Sequence, residues 1–151
     1  MPRIENSIDI AADARDVFDI TNDIARWPEI FNEYHKAVVV SQEREGRWTE
    51  IVFELTNEEG NSWRSWRLID HRELVAIAER RDPLFPFAYM HLKWTCTPVS
   101  GGTRMTWIQD FELDENFTVP LPTVLERMNT HTRENQVRIK EKIESGAVKA
   151  A

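Results

Sequence analysis

The sequence predicts an α+β fold: a strongly bent, seven-stranded antiparallel sheet around one long C-terminal helix, with two short helices after the first strand. Three observations carry that prediction. Residues 3–10 alternate in polarity, residues 36–113 repeat the strand signal in six further segments, and from about residue 120 the apolar spacing becomes helical.

In the first strand Ile4, Asn6, Ile8 and Ile10 share one side, with Glu5, Ser7 and Asp9 on the other. Asp13 is placed to cap a short helix through Val17, Phe18 and Ile20, and Asn22 or Asp23 to cap a second. The second must be brief, because Pro28 suits only an early helical position. The six later strands are expected at Ala37–Ser41, Trp48–Leu55, Ser62–Asp70, Leu74–Arg81, Phe87–Thr97 and Thr103–Leu113. Turn signals at Gly46, Asn57–Gly60 and Gly101–Gly102 separate several of them, and such short connections favour antiparallel pairing. Beyond residue 120, Leu125, Met128, Thr132, Asn135, Ile139 and Ile143 recur on one helical face, and Gly146 marks the stop. That helix is roughly 40 Å long and needs the sheet as its partner. A bent sheet gripping a helix leaves a cavity between the two, a common place for small ligands.

Composition narrows the function. The 151 residues carry a net charge of −7, which speaks against nucleic acid or a membrane surface as partner. With one cysteine, Cys96, no internal disulfide forms, and a reducing compartment fits. MPRIENSIDI has no apolar signal core, and no stretch approaches the ~18 apolar residues of a membrane span, so a cytoplasmic protein is expected. No repeat or linker interrupts the chain, which reads as one domain over residues 1–151. Six tryptophans point to a heavy core or a cavity wall. The histidines at 35, 71, 91 and 131 lack metal-ligand spacing, and no G-x-S-x-G, P-loop or G-x-G-x-x-G occurs. No metal or cofactor is expected.

Several residues are candidates for chemistry. Period two places Trp63, Ser65, Arg67 and Ile69 on one face of their strand, and Arg64, Trp66, Leu68 and Asp70 on the other. The pattern alone leaves open which face looks inward. If Arg67 does, a buried guanidinium requires a partner or a task. Gln109 is a lone polar group in the row Met105, Trp107, Phe111, where such residues usually serve to satisfy backbone groups. Met90, Leu92, Trp94 and Cys96 read as core. Thr132 and Asn135 break an otherwise apolar helical stripe, a break that a ligand or water can satisfy. Trp27, Phe31 and Tyr34, spaced i, i+4, i+7, would share a face on a continuous helix, with the Tyr34 phenol able to donate or relay a proton.

The segments TNDIARWPEIFNEY (21–34), WRSWR (63–67), FAYMHLKW (87–94), GGTRMTWIQDF (101–111) and NTHTRENQVRIK (129–140) resemble the bacterial polyketide aromatase/cyclases. The likeness is to the monodomain, tetracenomycin-type and spore-pigment-type enzymes of type II polyketide synthases, and it runs over nearly the whole chain. It implies the helix-grip (START/Bet v 1-like) fold and an inward Trp63–Ser65–Arg67 face. It also implies catalytic roles for Arg67, Tyr34 and Ser65. Trp27, Phe31, Trp63, Phe87, Met90, Trp94, Gln109, Thr132 and Asn135 would contact substrate. The implied reaction is regiospecific aldol cyclisation and dehydration of the first ring of a linear poly-β-ketone, at C9–C14 or alternatively C7–C12, without cofactor. The implied partners are an acyl carrier protein and the minimal synthase, with this chain a monomer or weak dimer.

Departures from the family pattern gather where a cavity mouth would be: Asn61, Trp66, the RDPLFP segment (81–86) and the Pro-interrupted ENFTVPLPT (115–123). The arginines at 44, 47, 80 and 81 are candidates for a basic rim facing an acidic carrier. The rival readings are a non-catalytic lipid or quinone carrier on the same fold and an interaction module presenting Trp66.

Overall fold

The structure, a computed structural model, describes residues 1–82 and 84–151. Its elements in chain order are β1 (Arg3–Ile10), α1 (Ala14–Thr21), a 3-10 turn (Ile24–Arg26), α2 (Trp27–Ile30), β2 (Tyr34–Glu45), β3 (Trp48–Asn57), β4 (Ser62–Asp70), β5 (Val75–Arg80), β6 (Phe87–Val99), β7 (Gly102–Leu113) and α3 (Leu121–Glu144). The strands form one antiparallel sheet in the order β1-β7-β6-β5-β4-β3-β2. It is the expected helix-grip plan.

The polarity alternation holds in β1, where Ile4 and Ile10 are buried and Glu5 and Asp9 exposed. Strand β2 is much longer than Ala37–Ser41. Its free edge leaves the flanking polar residues solvated, while backbone pairing with β3 runs from Tyr34↔Asn57 to Glu45↔Trp48. Two register shifts in β2 break strict alternation, so the pattern understates its length. Strand β6 likewise extends through Pro98 to Val99, and the Ser100–Gly101 turn puts Gly102 at the start of β7.

Gly102 is required where it stands. A Cβ there would lie 2.1 Å from the Ile10 carbonyl oxygen, a backbone atom that cannot yield. Gly102→Ala is therefore expected to push β1 away from β7 and to lower stability by about 1–3 kcal/mol, read as a lower urea midpoint.

The helical turns stand where expected but are capped differently. The Asp13 carboxylate accepts from Arg15 N at 3.1 Å. Neither Asn22 nor Asp23 caps the second turn through its side chain. Asn22 instead closes α1, its Nδ2 donating to Phe18 O at 2.9 Å. Helix α2 ends at Ile30 and Tyr34 opens β2, so Trp27, Phe31 and Tyr34 do not share one helical face.

Helix α3 lies across the sheet and is fastened to β1. Gln136 Nε2 donates to Asn6 O at 3.0 Å and Arg133 Nε to Asn6 Oδ1 at 3.0 Å. Its buried face comprises Val124, Thr132, Asn135, Gln136, Ile139 and Ile143, whereas Leu125 and Met128 are only half-buried. The face shifts because Gln136 satisfies the β1 backbone, a role that hydrophobic spacing does not register. Fastening at β1 leaves the middle of α3 standing off β5, β6 and β7, and that gap is the cavity.

Candidate functional site

The inner face of β4 is Trp63, Ser65, Arg67 and Ile69, all buried. Opposite Arg67 and Ile69 on β5 stand Ala78 and Ala76. These small residues leave room for large neighbours, Trp94 from β6 and the Arg67 side chain itself. Arg67 is 1% exposed. Its Nε donates to Asn22 Oδ1 at 2.8 Å, an oxygen presented to it because Asn22 Nδ2 is held by Phe18 O. The guanidinium lies 4.2 Å from the ring centre of Trp94 and 5.4 Å from that of Trp27. Burial lowers its pKa to about 9, so it is still a cation at neutral pH.

Around it is a wall of aromatic rings. Trp94 stacks on Trp107 at 4.2 Å and on Trp27 at 5.7 Å. Trp27 stacks on Tyr34 at 5.6 Å, and Phe31 meets both Trp27 and Tyr34 edge-on at 5.2 Å. Thus Trp27, Phe31 and Tyr34 do come together, through a turn and a strand start rather than one helix.

A cavity of about 310 Å³ opens on the other side of this wall, lined by Phe31 and Tyr34, by Phe87, Met90, Trp94, Trp107 and Gln109 of the sheet, and by Thr132 and Asn135 of α3. Phe87 faces it because a register shift between Phe87 and Tyr89 reverses the alternation of β6. A second hollow of about 350 Å³ adjoins it, sharing Glu33, Tyr34, Arg80 and Phe87 and continuing past Trp63 to Leu84, Phe85 and Pro86. Here two of the unusual segments meet, Phe85 packing edge-on against Phe117 at 5.5 Å. Pro83 of RDPLFP lies outside the described residues.

The candidates thus divide. Phe31, Tyr34, Phe87, Met90, Trp94, Gln109, Thr132 and Asn135 line the inner cavity, and Trp63 lines the outer hollow. Arg67, Ser65 and Trp27 do not line either. Arg67 sits behind the Trp27–Trp94 wall, and of the two cations that hold the Tyr34 phenol pKa down it contributes less than Arg80. Ser65 is the cross-strand neighbour of Arg80. Gln109 satisfies side chains rather than backbone: its Oε1 accepts from Thr132 Oγ1 at 2.9 Å, and its Nε2 lies 3.9 Å from Met90 Sδ.

Arg80, Glu33 and His131 are among the cavity residues that escape the sequence reading. Arg80, expected on a carrier-facing rim, lines both hollows, with its guanidinium 5.1 Å from the Trp63 ring centre and its pKa lowered by burial. Glu33 and His131 form a pair, His131 Nε2 to Glu33 Oε2 at 2.7 Å, with Asn135 Nδ2 3.4 Å from Glu33 Oε1. The only signal is local: Glu33 adjoins Tyr34, and His131 precedes Asn135 by one helical turn.

Burial pushes the Tyr34 phenol well above its ordinary range. Glu33 adds to that shift and the cations Arg80 and Arg67 oppose it. The Cys96 thiol is likewise pushed up to about 12 by burial, which rules it out as a nucleophile. Three buried donors here have no acceptor among the described residues: Arg67 Nη2, Arg80 Nη1 and Trp107 Nε1. Among the described residues no helix is long and apolar enough to cross a membrane, and no group of three His, Cys, Asp or Glu is placed to hold a metal ion.

Known proteins agree with this architecture. A candidate polyketide cyclase of Streptomyces cyaneus is 37% identical over 145 residues, covering 93% of this chain and 92% of that protein. One of Streptomyces halstedii is 38% identical over 109 residues, covering 69% and 95%. Among solved structures, the Zhui aromatase/cyclase of Streptomyces sp. R1128 superposes with a TM-score of 0.73 at 17% identity, covering 97% of this chain and 93% of that one. A START superfamily protein of Mycobacterium smegmatis gives 0.76 at 17%, covering 97% and 99%. At those identities the structures speak to fold alone. The family described as polyketide cyclase/dehydrase and lipid transport matches residues 1–144, and with two cyclase relatives above 35% identity the chain belongs to it.

Proposed function

We propose that the protein closes the first ring of a linear poly-β-ketone, presented by an acyl carrier protein, by intramolecular aldol condensation followed by loss of water. C9–C14 is the favoured closure and C7–C12 the alternative. The observation that carries this reading is the set of donors without acceptors. Arg80 Nη1 and Trp107 Nε1 belong to residues that line the cavity, and Arg67 Nη2 lies behind its Trp27–Trp94 wall. Buried donors left unsatisfied cost about 1–3 kcal/mol each, so the chamber favours an occupant rich in carbonyl oxygens. A hydrocarbon lipid tail offers none, which sets this cavity apart from a simple carrier's.

Residue roles follow from position. The aromatic walls hold the flexible chain in one fold, which favours one closure among many. Arg80, facing the open space, stabilises the carbonyl oxygen that becomes alkoxide and then leaves as water. Arg67 backs the Trp94 wall and polarises Tyr34. Tyr34, kept protonated, donates to a second oxygen, with Ser65 beside Arg80 and Asn135 fixing the far end of the chain. No cofactor is called on.

The test is a reconstituted minimal synthase of ketosynthase, chain-length factor and carrier protein. Adding the protein should raise the ratio of correctly to spontaneously cyclised product, and Arg80→Met should lower that ratio about 100-fold. A ratio indifferent to the wild-type protein would sink the reading.

A further inference from the structure

Aldol closure needs a group that takes a proton from a methylene carbon and returns one to oxygen. The titratable residues lining the inner cavity are Glu33, Tyr34, Arg80, Arg127 and His131. The two arginines are cations that only donate. The Tyr34 phenol stays protonated, so it too donates without accepting. Glu58 and Glu59 flank the outer hollow, but both are exposed at the β3–β4 turn. That leaves Glu33 and His131, which arrive from opposite sides of the cavity, one from the segment before β2 and the other from α3, and meet at 2.7 Å.

We propose that the Glu33–His131 pair is the proton-exchanging group of this cavity, with the His131 imidazole as base and acid and Glu33 as its positioning residue. This rests on the cyclisation reading above. Glu33 engages Nε2, so the proton that exchanges with ligand or water is the one on Nδ1. The neutral imidazole removes a proton from the methylene between two ketones. The resulting enolate carbon bonds to a distant carbonyl carbon, and the imidazolium returns the proton to the new alkoxide. In the second stage the imidazole removes the remaining proton of that carbon. The C–O bond then breaks, and the hydroxide departs as water with the imidazolium proton. Each stage leaves the pair as it began, and no oxidant or reductant is involved.

The electrostatic surroundings suit this work near neutral pH. The hydrogen bond that the imidazole donates to Glu33 raises its pKa above the ordinary value, with Glu134 adding on the same helix and partial burial opposing. Of the other charged groups around the cavity, Arg127 lies one turn earlier on α3 and Arg80 stands across on β5. Asn135 Nδ2, 3.4 Å from Glu33 Oε1, donates to the carboxylate and steadies its orientation toward His131.

The test combines an NMR titration with product analysis from the reconstituted synthase across pH. The His131 ring resonance, assigned by its loss in His131→Gln, should titrate above 6.5 in the wild type and lower in Glu33→Gln. Because the base must be deprotonated, the product ratio should fall as pH drops through that value. The midpoint should move down with it in Glu33→Gln. His131→Gln should lower the ratio about tenfold or more and flatten its pH dependence. His131 is half-exposed, so this variant should melt like the wild type. A His131→Gln protein that keeps the wild-type ratio and profile would overturn the pair's role alone. A wild-type protein that leaves the product spectrum as it is without protein would overturn the cyclisation reading, and the pair's role with it.

Discussion

Exchange of Arg67 for Met is expected to leave a stable protein that has lost control of ring closure. Arg67 has one hydrogen bond, to a neutral amide, and no carboxylate partner among the described residues. Burying a charge costs several kcal/mol even after relaxation. The bond to Asn22 returns about 1.5–3 kcal/mol. The ring faces of Trp94 and Trp27 return about 2 kcal/mol more. Met fills much the same space with a thioether that sits well against aromatic rings, and removes the charge. Its own cost is the Asn22 oxygen left without a donor, about 1–3 kcal/mol. The opposing terms are of similar size, so the melting temperature should stay within about 4 °C of wild type. Product control should not survive, because the cation behind Tyr34 is gone. The ratio of correctly to spontaneously cyclised product should fall about 100-fold. Thermal unfolding by circular dichroism and product analysis from the reconstituted synthase check both halves. A steep drop in melting temperature with an unchanged product ratio would refute the assignment, since Arg67 would then be structural.

The contrast between Arg67 and Arg80 shows what is legible in the sequence. Alternation along residues 62–70 defines two faces but not which is inner, since Trp66 and Leu68 are as apolar as Trp63 and Ile69. Family resemblance selects the correct face, because Trp63, Ser65 and Arg67 are all buried. It does not show that Trp27 and Trp94 screen Arg67 from the open space. That depends on ring stacking between two tryptophans far apart in the chain, which no local period encodes. Arg80 reads as a rim charge for a related reason. Only its pairing with Ser65 and its place between the two hollows reveal its position. Glu33 and His131 are separated by 98 residues and are invisible as a pair. By contrast, the polar break at Thr132 and Asn135 is a sound local signal. Both are buried and both turn toward the cavity, although Gln109 and Glu33 already engage them. Outside the site, Trp66 is half-buried beneath Arg81, whose guanidinium lies 5.4 Å from its ring centre, and so does not present a bare apolar face.

Removal of the Trp94 indole should have the largest effect on stability. The ring is at once the floor of the cavity, the stacking partner of Trp107 and the cover over Arg67. Truncating a buried aromatic to Ala costs about 3–5 kcal/mol through lost transfer energy and the space left behind. That space would join the existing cavity of about 310 Å³, so water would enter it and reach the guanidinium. Hydration of Arg67 offsets part of the loss, bringing the expected cost of Trp94→Ala to about 3 kcal/mol, or a melting temperature lower by roughly 6–12 °C. The same substitution in an Arg67→Met background has no buried charge to hydrate, and it forfeits no cation–π contact. If relief of the charge outweighs the contact, Trp94→Ala should cost about 1–2 kcal/mol more in the Arg67→Met protein than in the wild type. A double-mutant cycle measured by urea denaturation reads that difference directly. A coupling of opposite sign would mean that the Trp94 face, rather than the prospect of water, governs the energy of the buried cation.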